Sequence, residues 1–141
     1  MSVTDLPALE AFLAEPRNAI VIGLRADGRA HATPNWFLWE GGRFYVSTTR
    51  SRAKYRVFTD DARAQLVIDD STGFRYVIVE GTAQVSEDLD GGLVYFERLR
   101  AKHGRGGQSR DDLRAEMERD GRVLLVITPS KPPSDWLAIG F

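Results

Sequence analysis

A chain of 141 residues, 43% hydrophobic and 28% charged, is expected to form one folded domain over residues 1–141 and not a disordered or fibrous polymer. Its formal net charge of -1 excludes the broad basic field that holds nucleic acid or an anionic membrane, so an anion must be bound locally. With no cysteine and only His31 and His103, neither a disulfide, nor a thiolate nucleophile, nor a transition-metal centre is expected.

The first residues lack a basic stretch leading into an apolar run. No segment approaches the roughly 18 apolar residues of a membrane span, so a cytoplasmic protein is expected. Thr4 or Asp5 can cap a short helix with Pro7 in its first turn and Leu6, Leu9 and Leu13 at helical spacing, stopped at Glu15-Pro16. The apolar run 18–25, the Asp27-Gly28 turn, a strand over 30–40 and, after Gly41-Gly42, a strand over 43–48 predict a three-stranded meander. Pro34 has no N–H to give a ladder, which places its strand at an edge or a bulge.

Ser51 is a candidate cap for a helix reaching Thr59, with Tyr55 and Phe58 on one face. Strands are expected over 64–69 and 75–85, joined by the turn-rich 69–73. Leu89, Leu93, Phe96 and Leu99 mark an amphipathic helix over 89–102. Ser109 caps a second, with Leu113 and Met117 on one face. A strand over 122–128 and a last strand or tail over 136–141 complete the chain. Hairpin-linked strands with inserted helices predict a mainly β, α+β fold, a small antiparallel barrel flanked by helices.

Chemistry concentrates in residues 47–54, where a strand ends in Ser47, Thr48 and Thr49 and a helix opens with Arg50, Ser51, Arg52 and Lys54 nearby. The N–H groups and dipole of a helix start favour a phosphate, and hydroxyls and cations add charge-assisted bonds. An ordinary solvated helix start has the same local sequence. Of the 19 basic residues 16 are Arg, whose planar fork suits phosphates and carboxylates, although codon usage can produce the same bias. Trp36, Phe37, Trp39, Phe44 and Tyr45 fit core, interface or one wall of a flat-ligand cleft. By alternation Asn35, Phe37 and Trp39 share one face, and Pro34, Trp36 and Leu38 the other. Asp60-Asp61 and Asp69-Asp70 read as solvated turn residues. The glycine-rich 104–107 follows a helix and so fails as a dinucleotide loop, and His31 reads as a surface or interface residue.

The run 18–86 resembles the pyridoxamine 5'-phosphate oxidase-like split β-barrel superfamily. The resemblance rests on strand order, the Asp27-Gly28 hairpin, the strand from Gly42 and the Ser51-Arg52 helix start. Arg52-Ala53-Lys54 with Arg56, and the stretch from Tyr76 through Glu80-Gly81 to Ala83, are similar to the coenzyme F420-dependent oxidoreductases of the B type. The resemblance implies a six- to seven-stranded antiparallel split β-barrel. It also implies an F420H2-dependent reductase that transfers a hydride from deazaflavin to an unsaturated small organic substrate. On it, Arg52 and Lys54 bind the cofactor phosphate and Thr33, Pro34 and Asn35 line the ring. A homodimer with interface sites would bring Arg75 and Tyr76 to the partner's cofactor, with Tyr76 a candidate proton donor. FMN-using members carry an Arg and a Lys where this chain has Thr33 and Leu38, which turns the expectation from FMN toward F420. An FMN enzyme of the same fold and a non-catalytic deazaflavin carrier are the alternatives. The substrate-binding Arg and His of vitamin B6 oxidation have no counterpart near the C-terminus.

Overall fold

A computed structural model describes residues 2–141. Asp5 caps α1 (Leu6–Ala14) by accepting the Ala8 N–H at 3.0 Å, and extended Glu15 ends the helix. β1 (Asn18–Leu24) and β2 (Ala30–Trp36) form a hairpin whose turn places Gly28 at φ +85, open to glycine because it has no Cβ. The chain continues through β3 (Leu38–Glu40), β4 (Arg43–Thr49), α2 (Ala53–Asp60), β5 (Arg63–Asp69) and β6 (Tyr76–Ser86). Next come α3 (Leu89–Lys102), α4 (Arg110–Arg119), β7 (Arg122–Pro129) and the short β8 (Leu137–Ile139). Ser109 caps α4 as its sequence implies, accepting the Asp112 N–H at 3.2 Å.

All pairings are antiparallel, in the order β2-β1-β5-β6-β7-β4-β3, with β8 added to β6. The two ends of this path, β2 and β3, are consecutive in the chain. The sheet therefore curls until its edges meet at Phe37, which gives the seven-stranded split barrel with β8 as an extra strand. Inside lie Val21, Phe37, Phe44, Leu66, Ile68, Leu125 and Ile127, each at most 1% exposed. α3 and α4 cover the outer face of β4 and β7, where Tyr45, Phe96, Leu113, Met117 and Leu124 form a second cluster. Burial on both faces explains why β7 reads as a continuous apolar run.

Three local expectations are corrected. The strand over 30–40 is two strands broken at Phe37, because β2 pairs with β1 while β3 pairs with β4. The break removes the alternation that grouped Phe37 with Asn35 and Trp39. The meander forms only in part: both of its hairpin pairings are present, but β4 meets β3 only at residues 43–45 and has β7 as its main partner. Ser51 does not cap α2: Arg52 occupies the cap position without a side-chain bond, and the Ser51 hydroxyl lies 3.0 Å from that of Thr49. A turn closed by the Arg52 N–H to Thr49 carbonyl bond moves the helix start past Ser51.

Lys102, at the end of α3, secures the Phe37 break. Its Nζ donates to the carbonyls of Phe37 at 2.8 Å and Leu13 at 2.7 Å and lies 3.6 Å from the Phe37 ring centroid. Burial, aided by the charge of Arg17, pulls its pKa from the ordinary 10.5 down to about 8. Between these values the unfolded chain holds more protons than the folded one, so this group's contribution to stability rises with pH. Relative to Lys102→Gln, the wild-type protein should gain about 1–3 kcal/mol between pH 7 and pH 10. Urea titrations at both pH values check this, and an unchanged difference between the two proteins contradicts it.

Candidate functional site

The split in the barrel creates the cleft. β7 accompanies β4 from Phe44 to Thr49, whereas on the other side β3 stops at the Leu38–Tyr45 pair. Beyond Tyr45 the edge of β4 facing β2 has no strand partner, so its backbone polar groups are available to a ligand or water. A cleft of about 430 Å³ occupies this position, within the range of small-molecule sites. Pro34, Asn35 and Trp36 line it from β2, Ser47 and Thr48 from β4, and Arg52 and Lys54 from the start of α2. Phe96, Leu99 and Arg100 of α3, Met117 of α4 and Arg122 of β7 form its opposite wall.

Lys54 is 5% exposed, and its Nζ donates to Thr33 Oγ1 at 3.1 Å. The same hydroxyl lies 3.0 Å from Asn35 Oδ1. An ammonium can only donate, so the Thr33 oxygen accepts from Lys54 and gives its own proton to Asn35 Oδ1. This polarity leaves the Asn35 amide nitrogen as the donor presented to the cleft. Burial and then the nearby Arg52 lower the Lys54 pKa. Arg122 is lowered by the same two causes in the same order. Among the described residues, Arg52, Lys54 and Arg122 have no carboxylate ion-pair partner. Arg100 is instead neutralised by Glu116.

The Thr48 hydroxyl is buried without a partner in the cleft wall. Such a group costs about 1–3 kcal/mol unless something satisfies it. Arg52, Lys54, the orphaned hydroxyl and a free strand edge fit a phosphate-bearing group, and Arg122 adds a further unpaired cation on the opposite wall. Trp36 adds a flat wall: it is 42% exposed and stacks on His103 with centroids 4.6 Å apart and planes within 4°. Burial lowers the His103 pKa, which favours a neutral ring behind the indole.

The structure divides the expected site residues. Pro34, Asn35, Ser47, Thr48, Arg52 and Lys54 meet in the cleft, and Thr33 stands one hydrogen bond behind them. Thr49 and Ser51 bond to each other and shape the turn, while Arg50 pairs with Glu87 at 2.7 Å. Arg75 and Tyr76 are not brought to the cleft of their own chain. Arg75 lies over the Phe141 ring at 4.3 Å, and Tyr76 pairs with Asp69 and Ile139. These positions are at the opposite end of β6 from Ser86, the partner of Leu124.

Arg122, Arg100, Phe96, Leu99 and Met117 escaped the sequence reading because an apolar helix face signals core and Arg122 merely opens a strand. The aspartate pairs behave as turn residues: Arg63 holds Asp61 down to about 2, and Asp70 accepts from the N–H groups of Thr72 and Gly73. His31 is half-buried with its pKa lowered, first by burial and then by the charge of Lys54.

Solved structures share this fold. An F420 reductase is 22% identical with a TM-score of 0.69, over 86% of this chain and 93% of that one. A conserved hypothetical protein from Mycobacterium tuberculosis is 17% identical with a TM-score of 0.79, over 92% and 83%. A heme storage protein from Vibrio cholerae is 14% identical with a TM-score of 0.72, over 96% and 95%. At these identities the likeness is one of fold, and the fold serves both redox and storage proteins. The model of the pyridoxamine 5'-phosphate oxidase family matches residues 6–131, and the chain belongs to that family.

Proposed function

We propose that the chain is an F420H2-dependent oxidoreductase acting on an unsaturated small organic substrate. The observation that carries this reading is the convergence of Arg52 and Lys54, both without carboxylate partners, and the unpartnered Thr48 hydroxyl on one cleft. Bound there, a reduced deazaflavin supplies the hydride that saturates the acceptor. Arg52 and Lys54 hold the phosphate, and Thr48 gains the partner it lacks. Asn35 offers its amide N–H, Pro34 and Trp36 flank the ring, and the α3–α4 wall excludes water. Among the described residues no acid/base couple lines the cleft, and the proton that completes the reduction would come from solvent. FMN is disfavoured because Thr33 and Leu38 stand where FMN-using members carry cations, and Leu38 lies against the α3–α4 cluster.

Mixing the protein and reduced F420 with a panel of unsaturated acids, esters and ketones tests the reading. At least one acceptor should drive oxidation of the cofactor well above the protein-free rate. Tight cofactor binding with no oxidation by any acceptor makes the protein a carrier.

We also propose a homodimer formed through the outer face of the sheet. Pro34, Ile20, Val67, Ile78 and Leu137 are successive register partners across five strands, and Leu137 is 49% exposed. The row starts at the cleft. Tyr76 shares the outward face with Ile78, two positions along β6, so pairing here carries Tyr76 toward the second copy, while Arg75 falls on the opposite face beside Phe141. A charge buried in such an interface costs several kcal/mol, and Val67→Glu should give a monomer by light scattering. A Val67→Glu protein that stays dimeric places the interface elsewhere.

A further inference from the structure

We propose a second anion subsite in the cleft, built by Arg122 and Ser47 and taking a carboxylate attached to a flat apolar body. Arg122 pairs with Thr49 and Ser47 with Leu124, so Ser47, Arg122 and Leu124 fall on the sheet face that α3 and α4 cover. Lys54, bonded to Thr33, belongs to the other side of the split. The cleft thus holds two cationic lobes, with Arg52 close enough to bias both Lys54 and Arg122.

In the second lobe an Arg122 Nη lies 3.4 Å from Ser47 Oγ, while Arg122 Nε is buried without a partner. The guanidinium therefore has unused donor capacity, and its fork matches the two oxygens of a carboxylate. Glu116 already offsets the charge of Arg100, which leaves Arg122 as the cation of this wall without an ion-pair partner and suits the lobe to a monoanion. Phe96, Leu99 and Met117, each at most 3% exposed, supply an apolar wall beside it. A ligand with a carboxylate at one end and a planar hydrocarbon at the other satisfies both halves. This assignment rests on the proposed reductase reading only where it makes that ligand the acceptor.

Calorimetric titration with trans-cinnamate, an unsaturated aromatic monocarboxylate, tests the subsite without turnover. The wild-type protein should bind cinnamate saturably, and cinnamyl alcohol about tenfold or more weaker. Arg122→Gln should weaken cinnamate about tenfold or more, Arg122→Lys should restore part of the loss, and Ser47→Ala should weaken it less. Lys54→Ala should leave cinnamate affinity within about threefold while weakening F420. No saturable cinnamate binding to the folded protein overturns the subsite, as does equal affinity in Arg122→Gln. Equal loss of F420 binding in Arg122→Gln and Lys54→Ala also overturns it, assigning Arg122 to the phosphate. If F420 fails to bind but cinnamate binds through Arg122, the reductase reading falls and the subsite stands.

Discussion

Lys54→Ala is expected to weaken coenzyme F420 binding by about 1–3 kcal/mol, or about tenfold to a hundredfold. Two losses add. The buried ammonium no longer faces the phosphate, and Thr33 no longer receives the proton that fixes its own bond to Asn35. The variant should fold, because burial already disfavours the charged lysine and its removal relieves that cost. Thr33→Val separates the two effects: it keeps the charge, frees the Asn35 amide to flip, and should cost less than Lys54→Ala. Fluorescence titration measures both, and unchanged affinity in Lys54→Ala removes this residue from the site.

Phe37→Ala should lower the stability of the domain by about 3–5 kcal/mol. The ring is fully buried at the point where the chain leaves β1 for β4, packs edge-on against Phe44 at 5.8 Å and lies under Lys102. Removing it opens a cavity where the barrel closes and leaves the Lys102 charge without its ring. The urea midpoint should fall with an unchanged slope, because the same surface is exposed on unfolding. A loss below about 1 kcal/mol contradicts the role given to Phe37 in closing the barrel.

Local structure was largely legible in the sequence, and long-range partnership was not. Leu89, Leu93, Phe96 and Leu99 place α3 at its observed bounds, and Ser109 caps α4 where its spacing with Leu113 and Met117 requires. Those signals act within a few residues. The break at Phe37 has no such signal: Trp36, Phe37, Leu38 and Trp39 all suit a strand, and only pairing with β1 on one side and β4 on the other divides it.

The candidate site shows the same division. Residues 47–54 mark a candidate anion site through hydroxyls and cations close in sequence, yet Arg50 turns to Glu87 while Arg122 arrives from 68 positions beyond Lys54. Only the pairing of β4 with β7 brings Arg122 beside Ser47. The polarity of the Lys54, Thr33 and Asn35 chain was likewise hidden, because it depends on α2 lying across the split from β2.

A cleft that selects a phosphorylated deazaflavin, as proposed, is tested most directly by titrating the purified protein with coenzyme F420 and, separately, with FMN. Fluorescence should report saturable F420 binding at least about tenfold tighter than that of FMN. Tight FMN binding without F420 binding would contradict the account.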